Sequence, residues 1–116
     1  MEERRQNVRV RPDSDLPAAL AIVGDLDVDL DVLDASIGGF GFLYRDVLDL
    51  EVGQTVEVRV TLPRMDPFTT TAQVRHIRSG SGGDRAGIHL PELDEEQTRA
   101  LRRYVAELFE RGLRVT

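Results

Sequence analysis

Two short clusters carry residue types suited to holding a planar, anionic ligand. The first is Arg4-Arg5-Gln6-Asn7-Val8-Arg9, in which Arg5 and Arg9 stand four apart. On an extended strand that even spacing puts both on one side, their bases roughly 13 Å apart, and a bend brings them onto one ligand. A guanidinium is a planar fork of donors that matches phosphate, stacks on a purine face, and pairs with guanine O6 and N7. Two or three arginines here can hold a guanine nucleotide by both phosphate and base. The second cluster is Asp34-Ala35-Ser36-Ile37-Gly38-Gly39. Asp34 can accept from a guanine ring N–H and exocyclic amine, and Ser36 can bond base or phosphate. Gly39 lets a flat base approach the chain. Each cluster taken alone reads equally well as something plainer: a solvated basic stretch, and an Asx or Ser turn between strands.

The elements that must position these clusters are short strands followed by one helix. Val8 and Val10 alternate with polar neighbours, Ala18 to Val23 is a short apolar run, and Gly24-Asp25 marks a turn. From Asp25 to Asp34, Asp alternates with Leu or Val. A period of two predicts apolar side chains on one face and carboxylates on the other. Phe40 to Leu43, Thr55 to Leu62, Phe68 to Ile77 and Ala86 to Leu90 read as further strands, the last two joined by the Ser79–Gly83 loop as a hairpin. Leu101, Tyr104, Val105 and Leu108 then recur at helical spacing. Asp94 with Gln97 suggests a capped start, and Gly112 a stop, for a helix over 94–111. Six antiparallel strands and a helix suggest a small barrel, which removes exposed strand edges.

Composition narrows the class. A chain of 116 residues is one domain, 1–116, with no linker or repeat. Without cysteine there is no disulfide framework, thiolate metal site or cysteine nucleophile. No apolar run approaches the roughly 20 residues of a membrane helix, and the start lacks a secretory apolar stretch, so a cytoplasmic protein without membrane contact is expected. The net charge of −6 disfavours a nucleic acid polymer, whose binding depends on neutralised phosphates, yet permits a small anion at a local basic patch. That patch is confined to the N-terminal Arg4, Arg5, Arg9 and Arg11. All 15 basic residues are arginine, which for the chain as a whole reads as codon bias. An oligonucleotide-binding barrel would interleave aromatics along a basic groove, and 5% aromatic residues do not supply them. Ser36 lacks a Gly-x-Ser-x-Gly elbow, and His76 and His89 are far off with no metal-like spacing. Neither an enzyme, a metal site nor a cofactor is expected. The Asp25–Asp31 run reads as a solvated face and not a cation loop.

Together the clusters resemble the paired signature of the PilZ domain family. Arg5-xxx-Arg9 is followed about twenty-five residues on by Asp34-x-Ser36-xx-Gly39. Val10 follows the second arginine. Leu50 to Leu62 with Gly53 resembles the family's Gly-x-x-Val strand and the Leu-Pro that ends it. Ala72-Gln73-Val74 and Ala86-Gly87-Ile88-His89-Leu90 resemble two later strands, so the likeness runs from Glu3 to Leu108. It implies a mainly β fold, a six-stranded antiparallel split barrel with a C-terminal helix. The function it implies is that of a non-catalytic receptor for cyclic di-GMP in bacterial second-messenger signalling, as in motility and biofilm control, acting through an unidentified effector protein. Arg5 and Arg9 would then grip phosphate and guanine while Asp34, Ser36 and Gly39 line the other side. Arg4, just ahead of the arginine pair, implies two stacked ligand molecules per site. Residues 1–11 would form a loose segment that folds over the ligand, in keeping with a polar, terminal stretch. His76 and Arg78 lie near where some relatives place an aromatic or basic residue at the rim. His76 is thus a candidate contact, although it also reads as a plain strand residue, and Val8 offers no ring for stacking. The competing implication is a PilZ-type protein interaction module that does not bind nucleotide, which the retained arginines argue against. The face around Phe109 and Leu113 would suit core packing or a partner.

Overall fold

The structure, a computed structural model, describes residues 8–115. Its strands are β1 (Arg9–Val10), β2 (Ala19–Ile22), β3 (Val28–Leu30), β4 (Val32–Ser36), β5 (Gly39–Leu43), β6 (Thr55–Thr61), β7 (Phe68–Arg78), β8 (Arg85–His89) and β9 (Arg114–Val115), with a 3-10 turn at Asp46–Leu48 and helix α1 at Glu95–Glu110. Every pairing is antiparallel, in the order β3-β2-β6-β7-β8-β5-β4-β1-β9. Only Asp31 separates β3, which pairs with β2, from β4, which pairs with β5. One bent strand therefore joins the two flanks of the curled sheet. Counting β3 and β4 as that one strand, and setting aside the two-residue β1 and β9, leaves the six-stranded antiparallel arrangement that the sequence implies.

The alternation of β6 produces what its pattern predicts: Val58 and Val60 are buried, Glu57 is exposed and Arg59 only partly covered. They meet Phe42, Val74, Val10, Leu101 and Leu108 in one core in which each of these side chains is almost wholly enclosed. Burying a side chain of this size contributes about 1.5–3 kcal/mol. Alternation fails in the acidic run. Leu26 and Val28 are exposed, while Asp34 is buried at 3% exposure. For Asp34 a bulge between Val32 and Asp34 is the cause: Val32 pairs with Phe42 and Asp34 with Gly41, so Leu33 is the extra residue. A bulge shifts the two-residue phase of a strand, so Leu33 and Asp34 both leave the core face. Asp27 and Asp31 do remain on the surface, paired with Arg59 and Arg45 at 2.7 Å each.

Helix α1 packs Leu101, Tyr104, Val105 and Leu108 inward. Its start is a full capping box: the Gln97 amide donates to Asp94 Oδ1 (2.7 Å) and the Asp94 amide to Gln97 Oε1 (3.0 Å). At its end Gly112 takes φ 79°, its amide donates to the Phe109 carbonyl (3.0 Å), and the Leu113 amide donates to that of Leu108 (3.1 Å). This is a Schellman stop with the usual apolar contact from Leu113. Asp94→Ala is expected to cost about 1 kcal/mol, read as a lower urea midpoint at unchanged slope. The Tyr104 hydroxyl donates to the Leu16 carbonyl at 2.9 Å, and burial, then Asp13, pushes its pKa up to about 12, which keeps it a donor. Among the described residues no helix is long and apolar enough to cross a membrane.

The stop also returns the chain as β9, which pairs with β1, while β1 pairs on its other side with β4. The Arg11 amide donates to the Leu113 carbonyl at 2.8 Å, and Val10 is fully buried. Within the segment 1–11 that is expected to fold over a ligand, Arg9 and Val10 form a strand paired on both sides, with Val10 buried. Residues 1–7 lie outside the described residues.

Candidate functional site

The outer face of the sheet carries a floor of bare backbone. Gly41 on β5 and Gly87 on β8 sit directly opposite each other, and Gly39 lies opposite His89. All three glycines are buried, because neighbouring groups occupy the space where side chains would project. A Cβ on Gly87 would overlap the His76 ring. One on Gly41 would come within 2.6 Å of Arg85 Nη2 and Asp34 Oδ1, and one on Gly39 would overlap the Ile88 carbonyl oxygen.

Two bulges aim polar side chains over this floor from either flank. The bulge at Leu33 turns Asp34 outward, opposite Gly41. The second lies in β7, where Val74 pairs with Ile88 and His76 with Gly87, so Arg75 is the extra residue. Val74 and Ile77 stay with the core while Arg75 and His76 both face outward. Between the flanks, Ser36 and Gly39 close a two-residue turn in which Gly38 takes φ 100°, a region that strains an L side chain.

The result is an open cleft of about 400 Å³, within the range of small-molecule sites. Arg9, Asp34, Ser36, Gly39 and His76 all line it, drawn together from β1, β4, β5 and β7. Arg4 and Arg5 lie outside the described residues. Sequence reasoning missed Arg75, Arg85, Gly41, Gly87 and His89, which line the cleft as well. The glycines did carry a signal, because glycine inside a strand marks a close approach. Gly39 has a different reason from the one expected. Its φ lies outside the left-handed region, and the carbonyl of the neighbouring strand is what requires it.

Three arginines, Arg9, Arg75 and Arg85, thus face a single cleft carboxylate, Asp34, in a chain that is acidic as a whole. Asp34 is not free: Arg85 covers it and donates from Nη2 to Asp34 Oδ2. Burial, then the charges of Arg78, Arg85 and Arg9, hold the His76 pKa below the usual histidine value. The imidazole is accordingly neutral at pH 7. In the unfolded chain it takes up a proton near pH 6.5, so there the unfolded state binds more protons. Stability from this group is present above pH 6.5 and lost as pH falls below it. His76→Gln should flatten the fall in thermal midpoint measured from about pH 7.5 to about pH 5.5. Among the described residues no group of three or more His, Asp or Glu is placed to hold a metal ion.

An arginine-rich cleft with a glycine floor can bind a flat base and its phosphates together. An uncharacterized protein of Aquifex aeolicus (strain VF5) is 31% identical over 104 residues, which is 89% of this chain and 48% of that protein. The chain spans about half the length of this curated relative. The inhibitor of motility of Bacillus subtilis, MotI/DgrA, superposes with a TM-score of 0.78 at 20% identity, over 93% of this chain and 52% of that one. The PilZ domain of YcgR from Escherichia coli, solved with c-di-GMP, superposes with a TM-score of 0.67 at 18% identity, over 93% of this chain and 94% of that one. At these identities the two structures show a shared fold. The sequence itself matches the PilZ domain from residue 3, ahead of the arginine cluster, to residue 107 in α1, and the chain belongs to that family.

Proposed function

We propose that this chain is a non-catalytic receptor for cyclic di-GMP that binds the ligand in the β1–β4–β5–β7–β8 cleft. The observation that carries the reading is the convergence of Arg9, Asp34, Ser36, Gly39 and His76 on one cleft. These five come from distant parts of the sequence, and both family motifs contribute to them. Arg9 would meet phosphate and guanine, with Arg5 beside it, while Asp34, Ser36 and Gly39 form the opposite wall. The local excess of arginine supplies an attraction that the net charge of −6 would otherwise oppose. The PilZ domain of YcgR in its complex with c-di-GMP supports the ligand identity at the level of the family. In this reading the protein works in a bacterial cytoplasm and passes the signal to an effector protein, with motility the process that the MotI/DgrA likeness favours. Coupling would run through β1, which touches the cleft through Arg9 and the core beneath α1 through Val10.

Calorimetric titration of the purified protein with cyclic di-GMP tests this. Saturable binding is expected, with a stoichiometry near two if Arg4 supports a stacked ligand pair, whereas a value near one removes that role. No heat of binding at ligand concentrations of about 100 μM overturns the reading.

A further inference from the structure

One charged group of the cleft belongs to neither motif. Arg85 opens β8, and its guanidinium lies where a side chain on Gly41 would stand, bonded to Asp34. Asp34 is 3% exposed, so Arg85 forms the surface that a ligand meets there, its own side chain 31% exposed. Arg85 Nε is buried and has no hydrogen-bond partner among the described residues. A buried donor without an acceptor is uncommon in folded proteins and calls for an explanation.

Resting on the cyclic di-GMP reading, we propose that Arg85 is a further ligand-binding residue that reads guanine, and that Asp34 is the positioning residue that holds it. A ligand could reach the buried Asp34 carboxylate directly only by displacing Arg85, which would give up their partly buried ion pair. Keeping the pair leaves donors of the fork unused. Guanine presents two acceptors, O6 and N7, that such a fork matches, whereas adenine presents a donor at the first of these positions. The bare backbone at Gly41 leaves room for the guanidinium, and the bulge at Leu33 points the carboxylate that fixes it. Asp34 therefore acts on the base through Arg85.

Titrations of wild type, Arg85→Gln, Asp34→Asn and the double variant with cyclic di-GMP and cyclic di-AMP test this, with thermal unfolding of each variant measured without ligand. Arg85→Gln should bind cyclic di-GMP about tenfold to a hundredfold more weakly. It should also lose preference over cyclic di-AMP, since glutamine offers the pattern that adenine accepts. Adding Asp34→Asn to Arg85→Gln should weaken binding no further, because residues that act as one unit are not additive. If Arg85→Gln binds as well as wild type or better, and Asp34→Asn still weakens that variant, Asp34 meets the base itself and the proposal is overturned. Should Arg85→Gln alone fail to fold, the double variant, which leaves no unpaired carboxylate, is compared with Asp34→Asn. A further tenfold loss supports the proposal and equality overturns it. A wild type that binds neither nucleotide overturns the receptor reading and this inference with it, whereas binding unaffected by Arg85 overturns this inference alone.

Discussion

Arg9→Ala is expected to weaken cyclic di-GMP binding more than a hundredfold while leaving the domain folded. The two effects separate because Arg9 holds its place through its backbone. Its partners in the sheet are Ser36 on β4 and Val115 on β9, and neither pairing uses the side chain. Among the described residues its guanidinium makes no salt bridge. Alanine therefore removes a cation that faces the cleft and little else, and a change of this kind usually alters stability by no more than about 0.5 kcal/mol. For an anionic ligand the loss is large. A charge-assisted, two-pronged contact to phosphate or base that loses its cation costs about 3 kcal/mol or more, which is the hundredfold stated. Titration beside a thermal unfolding scan reads both quantities. Wild-type affinity in Arg9→Ala would assign the anion to other arginines and remove Arg9 from the proposed site.

In the proposed reading, the placement of Arg9 gives a ligand in the cleft a route to the rest of the domain. Val10, next in sequence, is fully buried in the core that Leu101 and Leu108 of α1 share. Arg11 is tied to Leu113 beyond the helix stop. A pull on Arg9 in the cleft acts on a two-residue strand whose neighbours are the second motif on one side and the segment after the helix on the other.

Much of this was legible in the sequence because it is local. The capping box needs only Asp94 and Gln97, the helix stop only Gly112, and the inward face of β6 only its alternating valines. The two motifs were legible as types and spacing, and their described members line one cleft, an arrangement that only the family resemblance implied. What was hidden depends on pairing between distant strands. Nothing in Val32-Leu33-Asp34 says that Leu33 is extra; that follows from the register against Phe42 and Gly41. The same holds for Arg75, whose neighbour His76 would point into the core if β7 ran without its bulge. The pairing of Asp34 with Arg85 spans 51 residues and depends on both the first bulge and the bare backbone at Gly41. The anchoring of β1 by β9 joins the two ends of the described chain, where a polar N-terminal stretch read alone suggests looseness.

The second large effect is expected at Gly39, and its origin is steric. Ranked by backbone conformation, Gly38 should be the sensitive member of the pair, since its φ is 100° and that of Gly39 lies outside the left-handed region. Ranked by space, the order reverses. A Cβ on Gly38 would meet only the His89 ring at 3.6 Å, an ordinary contact, so Gly38→Ala should cost about 1–2 kcal/mol from conformation alone. A Cβ on Gly39 would overlap the carbonyl oxygen of Ile88, part of a backbone held by the β5–β8 ladder and unable to rotate away as a side chain would. Gly39→Ala must therefore push two strands apart at the floor of the cleft. The expected loss is about 3 kcal/mol, at the upper end for overpacking, or a thermal midpoint lower by on the order of 10 °C. It should be present without any ligand. If Gly39→Ala instead left the free domain as stable as wild type and removed only cyclic di-GMP binding, the glycine would serve the approach of the base, as the motif read in isolation suggests. A loss of stability in the free domain places its requirement in the sheet, with the flat floor of the cleft as the consequence.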